Sequence, residues 1–158
     1  MQISRLTAAD HPAVLDIAAE AHTPVEPDEL TRDVAHVWVA RDTPQEVAGF
    51  LLAWAVADEV HLINIATRER LRRRGVGQAL MVTLLDFAAQ MRARLIVLEV
   101  RRSNVAAIRL YRSNGFCAIG VRRGYYSDSG EDAVEMMVTL DPESGEVQPG
   151  RDEINLSA

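Results

Sequence analysis

The sequence predicts a mixed α/β (α+β) fold: a single central mixed sheet of about seven strands flanked by about four helices. Two observations lead there. Apolar runs over 47–57 and 60–67 are separated only by Asp58-Glu59, so two long strands should form an antiparallel centre. The second run leads into Gly75-Val76-Gly77 and a helical pattern, and a further apolar run, 95–100, follows a helix length later. That spacing is the one a right-handed strand–helix–strand crossover needs.

Taken in order, residues 2–6 read as a first strand, and Thr7-Ala8-Ala9-Asp10 as a capping box before Pro12 and a helix to Ala21. Ala13, Ile17 and Ala21 fall four residues apart, as do Val14 and Ala18, giving the helix one buried face. His22-Thr23-Pro24-Val25-Glu26-Pro27 interrupts it, and a short second helix is expected over 28–34. A strand over 37–41 and its turn, Asp42-Thr43-Pro44-Gln45, lead into 47–57, apolar almost throughout and hence covered on both faces. Val76, Leu80, Leu84 and Phe87 stripe a helix over 76–91, and 95–100 is too short an apolar run for anything but a strand. Ser103 or Asn104 caps a helix carrying Ala107, Ile108 and Tyr111, which stops at Asn114-Gly115. Strands over 116–123 and 133–140 close the order as a hairpin around 124–132. The domain is expected to span 1–141; after Pro142 the chain turns polar, and 142–158 reads as a disordered acidic tail.

At 158 residues, 48% apolar and 25% charged, the chain is an ordinary globular composition with enough material for one core. Its start is polar by Ser4 and Arg5, and its longest apolar run is too short to cross a bilayer, so neither a secretory signal nor a membrane contact is expected. A lone cysteine, Cys117, forms no internal disulfide, which suits a reducing cytoplasm, and reads as a small buried hydrophobe. The net charge of −6 argues against a nucleic-acid binder. Residues 141–158 carry −4 of it, leaving the arginines elsewhere locally concentrated. His11, His22, His36 and His61 lie far apart with no partner cysteines, so no metal is expected. A monomer is the expected state.

The chemistry centres on Arg72-Arg73-Arg74-Gly75-Val76-Gly77-Gln78. A helix N-terminus leaves its first amides unpaired and carries partial positive charge, glycine lets backbone approach an anion closely, and the arginines add reach. The stretch reads as a pyrophosphate cradle, the alternative being a helix start on a solvated basic loop. A Gly-x-x-x-x-Gly-Lys loop is excluded because the chain has no lysine, and a Gly-x-Gly-x-x-Gly fingerprint because Leu80 occupies the third glycine's place. Glu99 is the one charge inside the strand 95–100. Burial there would raise its pKa and suit a general base; the other reading is an ion pair with Arg101 or Arg122. Tyr111 is either a proton donor to a leaving group or a core-edge tyrosine. Asn104 either caps its helix or reaches a ligand amide, and the two are compatible. Tyr125 and Tyr126, beside Gly124, offer flat hydrogen-bonding walls for a peptide, or else an exposed loop.

Together these residues resemble the GCN5-related N-acetyltransferase (GNAT) superfamily. Arg72 to Gly77 after Asn64-Ile65-Ala66-Thr67 resembles its acetyl-CoA cradle. Leu98-Glu99-Val100-Arg101-Arg102-Ser103-Asn104, the run through Tyr111, Asn114-Gly115-Phe116, Arg122-Arg123-Gly124-Tyr125-Tyr126 and Gly130-Glu131-Asp132-Ala133 resemble its RimI-like branch, which acetylates protein N-termini. The resemblance implies acetyl-CoA held at its pyrophosphate by Arg72, Arg73, Arg74, Gly75, Val76, Gly77 and Gln78. It places the pantetheine on backbone groups of Ile65, Ala66 and Thr67, with Asn104 also touching the cofactor. It makes Glu99 the base, through a water, Tyr111 the acid for the departing thiolate, and Pro24, Val25, Tyr125 and Tyr126 the peptide contacts. The implied substrate is the N-terminal α-amine of a ribosomal small-subunit protein beginning with alanine. Lysine side-chain or small-amine acetylation, and an acetyl-CoA-binding module without turnover, are the alternatives. Where the family carries an aromatic clamp about a proline, this chain reads Thr23-Pro24-Val25, without either aromatic residue.

Overall fold

The computed structural model describes residues 1–156. The chain forms two compact units: Met1–Val56 with Leu62–Asp86, and Ala57–His61 with the residues from Phe87 onward. Both are mixed α/β, and every strand pairing set out below is antiparallel.

In the first unit, strands β1 (Gln2–Arg5), β2 (Ala35–Thr43), β3 (Glu46–Val56) and β4 (Glu59–Thr67) lie in sequence order. Helix α1 (His11–Glu20) follows a 3₁₀ turn, Ala8–Asp10. The expected capping residues meet there: the Thr7 amide and hydroxyl each donate to Asp10 Oδ2 at 3.0 Å, and Arg41 Nη2 lies 2.5 Å from Oδ1. Residues 47–53 of β3 are buried without a break, as a strand covered on both faces must be. Val14, Ile17 and Ala18 of α1 pack with Val37, Val39, Phe50 and Leu52 into the core. The helix expected over 28–34 is only a 3₁₀ turn, Pro27–Leu30. Leu30 is buried but Val34 stays exposed, so no second turn gains core contact, and four residues cannot sustain an α-helix without it. Among the described residues, three α-helices therefore stand where about four are expected. Helix α2 (Val76–Gln90) runs on from the glycine turn.

In the second unit, β5 (Leu95–Arg101), helix α3 (Val105–Ser113), β6 (Cys117–Tyr126) and β7 (Glu131–Leu140) give the strand order β5-β7-β6. On β5, Ile96, Leu98 and Val100 are buried, which turns Leu95, Val97, Glu99 and Arg101 to a half-buried face. Asn104 caps α3, its Oδ1 accepting from the Ala107 amide at 3.1 Å. Gly115 ends it at φ 93°, a left-handed turn that favours glycine. A further strand, β8 (Val147–Gln148), pairs with Thr139 and Leu140 of β7. Beyond it Asp152 bonds Arg112 and the Ala118 amide, and the Glu153 amide bonds the Ala118 carbonyl at 2.8 Å. The last two residues of the expected tail, 157–158, lie outside the described residues.

Candidate active site

The first unit holds the residues expected to cradle an anion. At the end of β4, Ile65 and Thr67 are half-buried and Ala66 is buried. The chain then makes a 3₁₀ turn, Glu69–Leu71, passes Arg73 at φ 64° and Gly75 at φ 83°, and enters α2 at Val76. The first intrahelical bond runs from the Ala79 amide to the Gly75 carbonyl at 3.0 Å. The amides of Val76, Gly77 and Gln78 therefore precede the helical ladder, as the first amides of any helix do. No atom lies within 4 Å of the place a Gly75 Cβ would take, so space for a ligand opens in front of the helix. Arg72, Arg73 and Arg74 are all exposed; Arg74 reaches Asp42 at 3.7 Å, while Arg72 and Arg73 pair with no carboxylate among the described residues. The guanidinium groups of Arg72 and Arg73, the helix-start amides and an open approach fit a pyrophosphate.

Residues that the sequence reading did not single out hold this loop in place. The Arg68 amide bonds the Ala48 carbonyl at 2.8 Å, and its Nη1 meets Asp16 at 2.8 Å and Glu20 at 3.3 Å on α1. A Cβ on Gly49 of β3 would come within 2.7 Å of the Ala66 carbonyl and 2.9 Å of Val76. A glycine alone in an apolar strand is the sequence signal of such a close approach. On the loop after α1, Pro24 is exposed but Val25 is buried in the core. Thr23 is clasped by Asn64 of β4, whose Nδ2 donates to the Thr23 carbonyl at 2.9 Å.

The second unit carries the proton-transfer candidates. Glu99, on the half-buried face of β5, lies opposite Glu135 of β7. Arg122 Nε lies 3.2 Å from Glu99 Oε1, so the ion-pair reading of Glu99 is realised with Arg122, while Arg101 is held by Asp128 at 2.8 Å instead. The exposed Tyr125 hydroxyl donates to Glu99, and that bond raises the tyrosine's own pKa. Tyr125 and Tyr126 meet edge to face at 5.2 Å, and the Arg101 guanidinium covers the Tyr126 ring at 4.0 Å. Tyr111 is only 6% exposed, with its ring 5.8 Å from Phe116. Burial, and secondarily Tyr126, push its pKa well above the usual phenol value, so it keeps its proton. Asn104 is the helix cap described above. Among the described residues, no group of three or more His, Cys, Asp or Glu is placed to hold a metal ion.

The sequence pattern of the acetyltransferase (GNAT) family matches residues 2–116, the greater part of the chain. The chain belongs to the GNAT family. It is an acetyl-CoA-dependent N-acetyltransferase, since GNAT acetyltransferases use that acetyl donor. A curated relative is the ribosomal protein bS18-alanine N-acetyltransferase of Escherichia coli K12, 35% identical over 143 residues that cover 87% of this chain and 97% of the relative. The crystal structure of the ribosomal-protein-S18-alanine N-acetyltransferase from Escherichia coli superimposes with a TM-score of 0.78 at 34% identity, over 86% of this chain and 91% of that one. The N-alpha-acetyltransferase RimI of Mycobacterium tuberculosis H37Rv is 47% identical over 78 residues, covering 49% of this GNAT chain and 46% of the relative. The likeness in fold and family thus extends over both units, beyond the residues 60–140 on which the sequence resemblance rests.

Proposed function

We propose that this enzyme acetylates protein N-termini, with the α-amine of an alanine-started ribosomal small-subunit protein as its substrate. The observation that carries the reading is the likeness to the Escherichia coli ribosomal protein bS18-alanine N-acetyltransferase across 97% of that enzyme's length. Bound acetyl-CoA supplies a thioester carbonyl for the amine to attack and a thiolate to leave. The amides of Val76, Gly77 and Gln78, with Arg72 and Arg73, would hold its pyrophosphate, and the backbone of Ile65, Ala66 and Thr67 its pantetheine arm. Arg74 and Gly75 belong to the same cradle, and Asn104 would reach the cofactor with the part of its amide not used as a helix cap.

Glu99 acts as the base, taking the amine proton through a water, and Tyr111 gives its retained proton to the departing sulfur. Tyr125 and Tyr126 flank Glu99 and would receive the peptide, and in the first unit the exposed Pro24 is a further candidate contact. The buried side chain of Val25 supports the loop rather than offering a contact surface. An α-amine with a pKa of about 8 needs only modest help to become neutral, whereas a lysine amine near about 10.4 needs far more.

The test follows CoA release with two peptides, one beginning Ala-Arg-Tyr-Phe and one with a blocked N-terminus and an internal lysine. The expected result is turnover of the free N-terminus alone, reduced about 100-fold in Glu99→Gln. Turnover of the blocked peptide would replace this reading with lysine acetylation. Acetyl-CoA binding with neither peptide turned over would remove the ribosomal substrate.

A further inference from the structure

The face of β5 that carries Glu99 holds a second carboxylate for which the reaction above has no use. Glu135 of β7 is the direct cross-strand partner of Glu99, and directly opposed residues of an antiparallel pair share a face. Both side chains are about a quarter exposed, at 26% and 28%. Two like charges so placed repel each other unless a cation lies between them. Arg122 provides it. Its Nε lies 3.2 Å from Glu99 Oε1 and its Nη2 3.4 Å from Glu135 Oε2, so one guanidinium is divided between two carboxylates.

The backbone explains how Arg122 comes to that face. The β6–β7 ladder pairs Ala118 with Met136 but Gly120 with Glu135, a bulge that places one extra residue, Ile119, on β6. A one-residue shift flips every later side chain to the other face. Gly120 therefore faces with Glu135, and Arg122, two residues on, faces with both. The other groups around Glu99 are Tyr125, which donates to it, Tyr126 at the end of β6, and Arg101 on its own strand. Arg101 is taken up by Asp128 and Glu131. Arg122 is thus the cation at Glu99, and Glu135 competes for it.

We propose that Glu135 is a positioning residue: by sharing Arg122 with Glu99, it holds the guanidinium off an exclusive pair with Glu99 and keeps that carboxylate ready to accept the substrate's proton. In a one-to-one pair with arginine, a carboxylate is a weak base; with its charge divided, the cation orients Glu99 without neutralising it. The inference rests on the reading of Glu99 as the base.

The test is a titration of Glu99 in the full-length enzyme labelled with ¹³C at the glutamate carboxyls, its signal assigned by its loss in Glu99→Gln. Glu135→Gln is expected to lower the Glu99 midpoint by about one pH unit, and Arg122→Gln to raise it by a similar amount. Peptide turnover in Glu135→Gln should fall about tenfold in kcat, with KM for acetyl-CoA unchanged. A Glu99 midpoint that stays put or rises in Glu135→Gln overturns the inference, and the opposite-signed arginine variant reports even if the first variant folds poorly. Full turnover in Glu99→Gln would instead sink the base reading itself. An inactive Glu99→Gln with an unmoved midpoint in Glu135→Gln sinks only the role of Glu135.

Discussion

Tyr111 is a position where packing and the proposed chemistry can be separated by one substitution. Its ring packs against Phe116, and its hydroxyl is buried enough to stay protonated far into the alkaline range. Phenylalanine at this position keeps the packing and removes the proton. Tyr111→Phe should therefore leave acetyl-CoA affinity unchanged while kcat falls about tenfold or more, read by titration calorimetry and by CoA release. The same burial sets an alkaline limit. A folded pKa raised above the usual 10.0 means that the unfolded chain ionises first as pH rises. The contribution of the neutral phenol is complete below that value and is lost as pH climbs toward the folded one. Melting temperatures across this range should fall more steeply for the wild type than for Tyr111→Phe. Glu99 shows the converse arrangement. Its strand position makes it half-buried, yet the nearest groups are a guanidinium and a phenol, and those partners come from a different strand.

Among the elements, β3, β4 and the start of α2 pack closely beside the candidate cradle. Gly49 lets the Ala66 carbonyl and Val76 approach, and Arg68 ties the following turn back to α1. A methyl group at Gly49 meets backbone at 2.7 Å, so the strand or the helix start must shift. Gly49→Ala should destabilise the protein by about 1–3 kcal/mol and weaken acetyl-CoA binding several-fold. Denaturant melts and calorimetry measure the two effects, and unchanged values for both would show that Gly49 does not position the cradle. The Arg68 cluster contributes less to stability, because Asp16 is largely exposed and water screens the pair. Its effect is orientation: it fixes the chain's exit from β4 in the direction that leads to Gly75. In the second unit, the bulge at Ile119 plays the comparable part by choosing the face that Arg122 occupies.

Across the molecule, the acidic segment after Pro142 changes how the net charge of −6 is read, since Asp152 is an anchor as well as a solvated charge. The hydrogen bond from Arg112, then the Ala118 amide, holds its carboxyl below the usual 3.8. A lowered folded pKa contributes stability above that usual value and loses it as pH falls through the folded one. Asp152→Asn should lower the melting temperature at neutral pH by about 3 °C, and the difference from wild type should vanish in strong acid. Among the described residues, no helix is long and apolar enough to cross a membrane. The sequence alone determined most of the strand and helix order, the cap at Asn104 and the family, because these depend on periodicity, glycine placement and helix-end chemistry within short stretches. It overstated the helix over 28–34, where Leu30 reaches the core but Val34 stays exposed, so a second turn gains nothing. Only the tertiary structure decided the burial of Val25, the clasp of Asn64 on Thr23, the need for glycine at 49 and the sharing of Arg122 between Glu99 and Glu135. Each of these depends on strand register and on which distant segments approach each other, and a one-residue bulge such as that at Ile119 reverses every face beyond it.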